Sequence, residues 1–398
     1  MTRLDPAQYK QEMASELTSI LSFWLTNSLD HERGGFIGRL TGDGQVDSNA
    51  PKGAVLNARI LWTFSAAARH GRNPEYRAVA DRAFGYFITH FIDQEHGGVY
   101  WSVSPEGEPL STRKQIYALA FGIYGLSEYY QLTGEPDALS ISQGLYRWIE
   151  THSFDAERGG YLEAFSREGE WLTDLRLSEK DRNDPKTMNT HLHILEGYAN
   201  LYRAWPDAGL ATQIRALLGT FQTHILDPET QQMRLFFSED WQPTANLVSF
   251  GHDIEAAWLL LEAAEVLHDE ALIDEFRRLA VSMAKATTAG LQPDGSLFHE
   301  LDRATNHYDT HREWWVSAEA MIGFLNAWQL TGDKAFYEYS VASWQFIQKH
   351  LLDKQGGEWQ WGVLDDYQPM TSEDKIGFWK CPYHNARACM EVIARLTR

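Results

Sequence analysis

Two kinds of helical stretch alternate along the chain. The first carries apolar residues at three- and four-residue spacing with polar residues between them, the pattern of a helix half in water. It recurs over approximately 6–29, 74–92, 136–154, 210–226, 270–288 and 334–352. The second is richer in Ala and Gly and apolar around much of its circumference, as in ILWTFSAAA, YALAFGIYGL, IEAAWLLLEAA and AMIGFLNAW. That pattern predicts a helix buried on all sides. It recurs over approximately 53–69, 113–132, 189–205, 250–267, 314–331 and 382–396. Turn and proline signals open several stretches of the first kind, as at Asn73-Pro74 and Glu135-Pro136, and Gly134 and Gly332 close two of the second.

A short phrase separates each outer stretch from the inner stretch that follows. It reads DHERGGFIGRL from Asp30, DQEHGGVYWSV from Asp93 and DAERGGYLEAF from Asp155, with degenerate copies from Asp227, Leu291 and Asp353. Gly supplies positive φ and the flanking Val, Tyr, Trp and Phe favour strands, so each phrase predicts a short β-hairpin or turn. One such unit cannot bury its apolar face alone, so the six share a core. The expectation is an all-α fold, a closed (α/α)6 barrel of six outer and six inner helices with short β-hairpins between them, forming one domain over 1–398. An open helical solenoid is the alternative. Closure is favoured because the first and last inner helices are as apolar as the rest.

Composition narrows the function. The formal net charge is −20, which repels phosphate backbones and argues against nucleic acid as a partner. No apolar run approaches the roughly 18 residues of a membrane span, and the N-terminal MTRLDPAQYKQEMASEL has no apolar signal core. The expected location is cytoplasmic. Cys381 and Cys389 fall on one predicted helix, roughly 12 Å apart, too far for a disulfide, and read as reduced bystanders. Fifteen Trp residues supply core and also flat faces that suit sugar rings.

Candidate chemistry lies within the first two turns of the inner helices: Asn57 and Arg59; Arg113 and Tyr117; Asn189, His191 and His193; His252, Asp253 and Glu255; Trp314, Trp315 and Glu319; Tyr383, His384 and Asn385. If the inner helices run parallel, these groups meet at one mouth of the barrel. Asn189 and His193 are i, i+4 and share a face, whereas His191 lies about 200° from His193 and faces elsewhere. His252 and Glu255 are i, i+3, so Glu255 is expected to orient His252 or a substrate hydroxyl. There is no HExxH, no cysteine pair and no GxSxG, and a His-x-His on a helix cannot chelate, so no metal and no serine nucleophile are expected. Two imidazoles on separate helices can remove a carbon-bound proton from one face of a substrate and return one to the other, and Arg59 is the natural partner of the oxyanion that develops. Three other readings remain: an aldose–ketose isomerase, a glycoside hydrolase using Glu255 and Glu319, and a non-catalytic sugar-binding module.

At these residues the chain resembles the N-acylglucosamine 2-epimerase family, and within it most closely the cellobiose 2-epimerase branch. The matching phrases are LNARILWTF, RKQIYAL, MNTHLHILEGYANLYRAW, SFGHDIEAAWLLLEA, EWWVSAEAMIGFLNAW and FWKCPYHNARAC, and similarity runs over essentially the whole chain. The resemblance implies an (α/α)6 barrel, a small-molecule sugar substrate, no cofactor, and epimerisation at C2 of a reducing-end sugar through ring opening and a cis-enediolate. It implies His252 and His384 as the acid/base pair, His384 also in ring opening, His193 in positioning, and Arg59 on the enediolate. Tyr117, Asn189 and Glu255 would hold hydroxyls, Trp315 and Trp379 would stack on the sugar, and Asp181 would touch a second ring. The segments 165–187 and 364–380 are expected at the pocket entrance. They leave open whether the substrate is a disaccharide or a free monosaccharide. Oligomeric state is not legible in the chain.

Overall fold

The computed structural model describes residues 4–179 and 181–397. Among them are twelve α-helices, six outer and six inner in strict alternation. The outer ones are α1 (Pro6–Asn27), α3 (Pro74–His90), α5 (Pro136–His152), α7 (Ala208–Thr220), α9 (Glu270–Thr287) and α11 (Lys334–Phe346). The inner ones are α2 (Ala54–Gly71), α4 (Ile116–Thr133), α6 (Met188–Ala204), α8 (Phe250–Glu265), α10 (Trp314–Thr331) and α12 (Tyr383–Arg395). The difference between the two kinds is the one the sequence predicts. In α4, every residue from Ile116 to Tyr129 is buried. In α9, burial is confined to Ile273, Phe276, Ala280, Met283, Ala284 and Thr287, a single stripe.

Local chemistry sets the helix ends. Asn73 accepts from the Glu75 N–H and Pro74 follows at the first helical position, while Gly134 and Gly332 close α4 and α10 in the left-handed conformation. Two predicted outer helices are shorter than expected: α7 and α11 each give way to a π-helical turn, Phe221–Ile225 and Ile347–Leu351.

Ring closure is visible in the packing. The inner helices touch in the order α2, α4, α6, α8, α10, α12 and back to α2, and α1 packs against α12. Close approach depends on small residues: a Cβ at Gly125 would sit 2.7 Å from the Ala58 carbonyl oxygen, and one at Gly197 would sit 2.7 Å from that of Ala120. The open solenoid is thereby excluded.

The Gly-Gly phrases are tight reversals pinned by single bridges, such as Leu29 with Phe36, Ile92 with Val99 and Phe154 with Tyr161. Extended pairing, predicted within each phrase, runs instead mainly between successive repeats. Lys52–Gly53 pairs with Ser102–Val103, Lys114–Gln115 with Ala164–Phe165, Lys186–Thr187 with Phe236–Phe237, Leu247–Ser249 with Glu300–Asp302, and Arg312–Glu313 with Gly362–Val363. Leu40 bridges Ile376 at the closure. Four of the phrase aspartates bind a lysine ahead of the next inner helix: Asp30 with Lys52 (2.8 Å), Asp93 with Lys114 (2.9 Å), Asp155 with Lys186 (2.8 Å), and Asp353 with Lys375. Five of the inner helices, α2, α4, α6, α8 and α10, start directly from a paired strand. No helix among the described residues is long and apolar enough to cross a membrane.

Candidate active site

A cavity of about 220 Å³ opens at the mouth where the inner helices begin. All ten residues to which the family resemblance assigns a role line it: Arg59, Tyr117, Asp181, Asn189, His193, His252, Glu255, Trp315, Trp379 and His384. Leu177 and Ser178 from segment 165–187 complete one side, as do Glu313, Trp314 and Trp361 elsewhere. A smaller cavity of about 140 Å³ adjoins it and shares Leu177, Asp181, Asn189 and His252.

Each histidine is aimed through one ring nitrogen. His193 Nδ1 lies 2.8 Å from Glu196 Oε2, His252 Nδ1 lies 2.8 Å from Ser249 Oγ, and His384 Nδ1 lies 2.7 Å from Glu319 Oε1. The Trp315 ring stands against both His252 (4.7 Å between centroids) and His384 (5.8 Å). Gly251 permits this approach, because a Cβ there would meet the Trp315 ring at 2.6 Å. Burial, reinforced by His193, His299 and His384, pushes His252 down to about 3. Burial and the nearby Arg59 and Arg387 push His384 well below the ordinary histidine range, and burial also lowers His193. All three are neutral bases at pH 7.

Arg59 is a buried cation that no carboxylate among the described residues pairs. It donates to Tyr117 Oη (2.8 Å) and Cys381 Sγ (3.7 Å) and lies over the rings of Phe121 (4.2 Å) and Tyr383 (4.9 Å). Its Nε has no partner among the described residues. A desolvated positive charge in an aromatic cage is strongly felt by any anion that forms in the cavity.

Below the histidines lies a feature the sequence reading missed. Arg387, buried on α12, donates from Nη2 to Glu255 Oε1 (2.7 Å) and Glu319 Oε1 (2.7 Å), and from Nη1 to Glu196 and to the Tyr383 hydroxyl. Two of these carboxylates orient His193 and His384, so one guanidinium fixes two catalytic candidates at once. Burial and repulsion from Glu319 push Glu255 upward, while burial raises Glu319 against the pull of Arg387. Glu255 Oε2 is unpartnered among the described residues, whereas Glu319 accepts from His384, Arg387 and Trp258 Nε1. The available signals were spacing alone, since Glu196 is three residues from His193 and Arg387 three from His384.

Other expectations are corrected. Glu255 does not orient His252, because the His252 ring turns back to Ser249 and Glu255 turns to Arg387. Cys381 is no bystander, since its sulfur contacts Arg59. Arg113 precedes α4 and donates to the Asp174 carbonyl (2.6 Å), and Asn57 bonds the Gly53 carbonyl (2.8 Å); neither lines the cavity. His191 faces away, as predicted, and accepts from the Tyr161 N–H (2.9 Å). Asp253 is structural, accepting from the Met233 N–H and Gln232.

Residues 35–388 match the family described as N-acylglucosamine 2-epimerase. The chain is 50% identical over 385 residues to the cellobiose 2-epimerase of Bacteroides fragilis, covering 96% of this chain and 98% of that one. It is 39% identical to the cellobiose 2-epimerase of Ruminococcus albus, covering 96% and 98%. The solved cellobiose 2-epimerase of Bacillus thermoamylovorans B4167 superposes with a TM-score of 0.94 at 38% identity, covering 98% of this chain and all of that one. The chain therefore belongs to the N-acylglucosamine 2-epimerase family and is a sugar 2-epimerase, an isomerase built on the (α/α)6 barrel.

Proposed function

We propose that the enzyme inverts C2 of the reducing-end unit of β-1,4-linked disaccharides, converting cellobiose to glucosyl-mannose and lactose to epilactose. The observation that carries this reading is the pairing of two neutral imidazoles, His252 and His384, around Trp315, beside an arginine that has no carboxylate of its own. His384 relays the proton of the anomeric hydroxyl during ring opening, which exposes the aldehyde and acidifies the C2 hydrogen. One imidazole takes that hydrogen as a proton. The cis-enediolate that results places its negative charge toward Arg59. The imidazolium formed by that capture exchanges its proton with solvent and hands one to the second imidazole, which delivers it to the opposite face of C2, leaving both rings neutral, and ring closure completes the inversion. Glu319 and Glu196 steady the imidazoles of His384 and His193. Asn189, Tyr117 and the protonated Glu255 hold hydroxyls, and Trp315 and Trp379 cover the ring.

Support for a disaccharide comes from the adjoining smaller cavity, which extends past Asp181 and Leu177, and from the names borne by the similar proteins. The hydrolase reading loses its basis, because Glu255 and Glu319 both accept from the same Arg387 nitrogen. Hydrolysis needs carboxylates about 5 Å or more apart across a bond. Chromatography of incubations with cellobiose, lactose and free mannose tests the proposal. Glucosyl-mannose and epilactose are expected. Turnover of mannose alone would assign a monosaccharide epimerase, and ketose as the main product would assign an aldose–ketose isomerase.

A further inference from the structure

A second histidine group adjoins the active-site cavity and shares Glu313 with its wall. His299, His311 and Glu313 come from the loop between α9 and α10, and one ligating atom of each falls within 4.8 Å of the others. Strand pairing fixes them. Glu300–Asp302 is held between Leu247–Ser249 and His307–Asp309, and the His299 N–H donates to the Asp309 carbonyl (3.0 Å). The two imidazole rings stand 4.5 Å apart. His311 Nε2 is 3.1 Å from Glu313 Oε1, and His299 Nδ1 is 4.0 Å from Glu313 Oε2. His299 Nδ1 is itself buried and has no hydrogen-bond partner among the described residues.

We propose that His299, His311 and Glu313 form a binding site for a divalent transition-metal ion of the zinc class, and that its occupancy suppresses turnover. Two imidazole nitrogens and a carboxylate oxygen are the donors such ions take, at about 2.0–2.2 Å from the metal. Donor atoms within 4.8 Å of one another need only small side-chain shifts to meet that geometry. Asp309 on His311 Nδ1 supplies the outer carboxylate that steadies a metal-bound imidazole. The other grouping of this kind, Glu255, Glu319 and His384, is already filled by the Arg387 guanidinium, which a metal would have to displace.

The link to turnover runs through Glu313 and Trp315. Glu313 accepts from Trp315 Nε1 (2.5 Å) and Trp361 Nε1 (3.1 Å), and Trp315 lies against His252. A dication bound there adds positive charge beside His252 and makes that imidazole a weaker base, slowing proton removal from the sugar. This second half rests on the proposed epimerase mechanism; binding itself does not.

Calorimetric titration of the full chain with zinc chloride, without sugar, separates the two. Wild type is expected to take up one zinc ion per chain. His299→Asn and His311→Gln are each expected to weaken binding at least about tenfold. Cobalt(II) should give the ligand-field absorption of a nitrogen and oxygen site in wild type alone. No binding by wild type at millimolar zinc, or the same affinity in both variants, would overturn the site. In the activity arm, zinc should suppress cellobiose turnover in wild type, with EDTA restoring it, and should act less on His311→Gln. Undiminished turnover at saturating zinc would overturn the inhibitory half. Should His299→Asn fail to fold, His311→Gln carries the test, its side chain being partly exposed.

Discussion

The barrel has two mouths, and the larger cavity is not at the one where the candidate site residues meet. At the C-terminal ends of the inner helices a cavity of about 400 Å³ is lined by Trp62, Tyr124, Trp258, Arg69, Arg203, Glu128 and Glu262. It has aromatic faces and charges, as the active-site cavity does. Its arginines, however, are already paired, Arg69 with Glu128 and Arg203 with Glu262 (2.7 Å). At the N-terminal mouth the space is about 220 Å³, but Arg59 has no carboxylate and three imidazoles are held neutral. Size does not locate the chemistry. A buried cation with no carboxylate beside it, next to imidazoles held neutral, does, because an anion that forms there is stabilised by charge that is not already neutralised. Arg387 stands between the mouths, lining the far cavity while holding the carboxylates of the near one.

The contrast can be broken or sharpened at several points. The largest effect is expected from His252→Asn or His384→Asn, each lowering kcat by roughly 10²–10⁴-fold while calorimetry still detects sugar binding. Arg69→Gln at the far mouth should leave kcat near wild type, and an equal loss there would erase the distinction between the ends. Next is Arg387→Met, which strands buried carboxylates and should cost about 3–5 kcal/mol in urea unfolding. Arg203→Met removes a half-exposed pair and should cost about 0.2–1 kcal/mol. Third is pH. His252 is held at about 3, and an unfolded chain titrates it near 6.5. Protons therefore favour the unfolded state between those values, and stability falls as pH drops from 6.5 toward 3. The acid limb of kcat/KM should likewise lie below pH 6.5, and a limb at or above it would contradict neutral buried histidines. The smallest effect is expected from Glu255→Gln, which mimics the protonated acid. It should change stability by less than about 1 kcal/mol and raise KM more than it lowers kcat.

The fold was legible because its signal is local and repeated. All-round apolarity marked α4 and α10 as inner helices, and the predicted 314–331 coincides with Trp314–Thr331. The π-helical ends of α7 and α11 were not legible, since no residue type marks them. The site was legible as a set of positions, because parallel inner helices bring their first turns together whatever the details. Its wiring was not. Helical spacing says that His252 and Glu255 share a face, but not that one turns to Ser249 and the other to a guanidinium 132 residues away. Arg387 carries no mark of its own in the sequence of the last inner stretch. Only closure of the ring shows that it faces Glu196, Glu255 and Glu319.

The central claim is that His252 and His384 exchange the C2 hydrogen of an opened sugar with solvent. Incubation with cellobiose in D₂O, followed by NMR of the reducing-end unit, tests it most directly. The account predicts deuterium at C2 in both recovered cellobiose and glucosyl-mannose with wild type, and none with His252→Asn. Epimer formed without deuterium at C2, or labelling undiminished in His252→Asn, would contradict it.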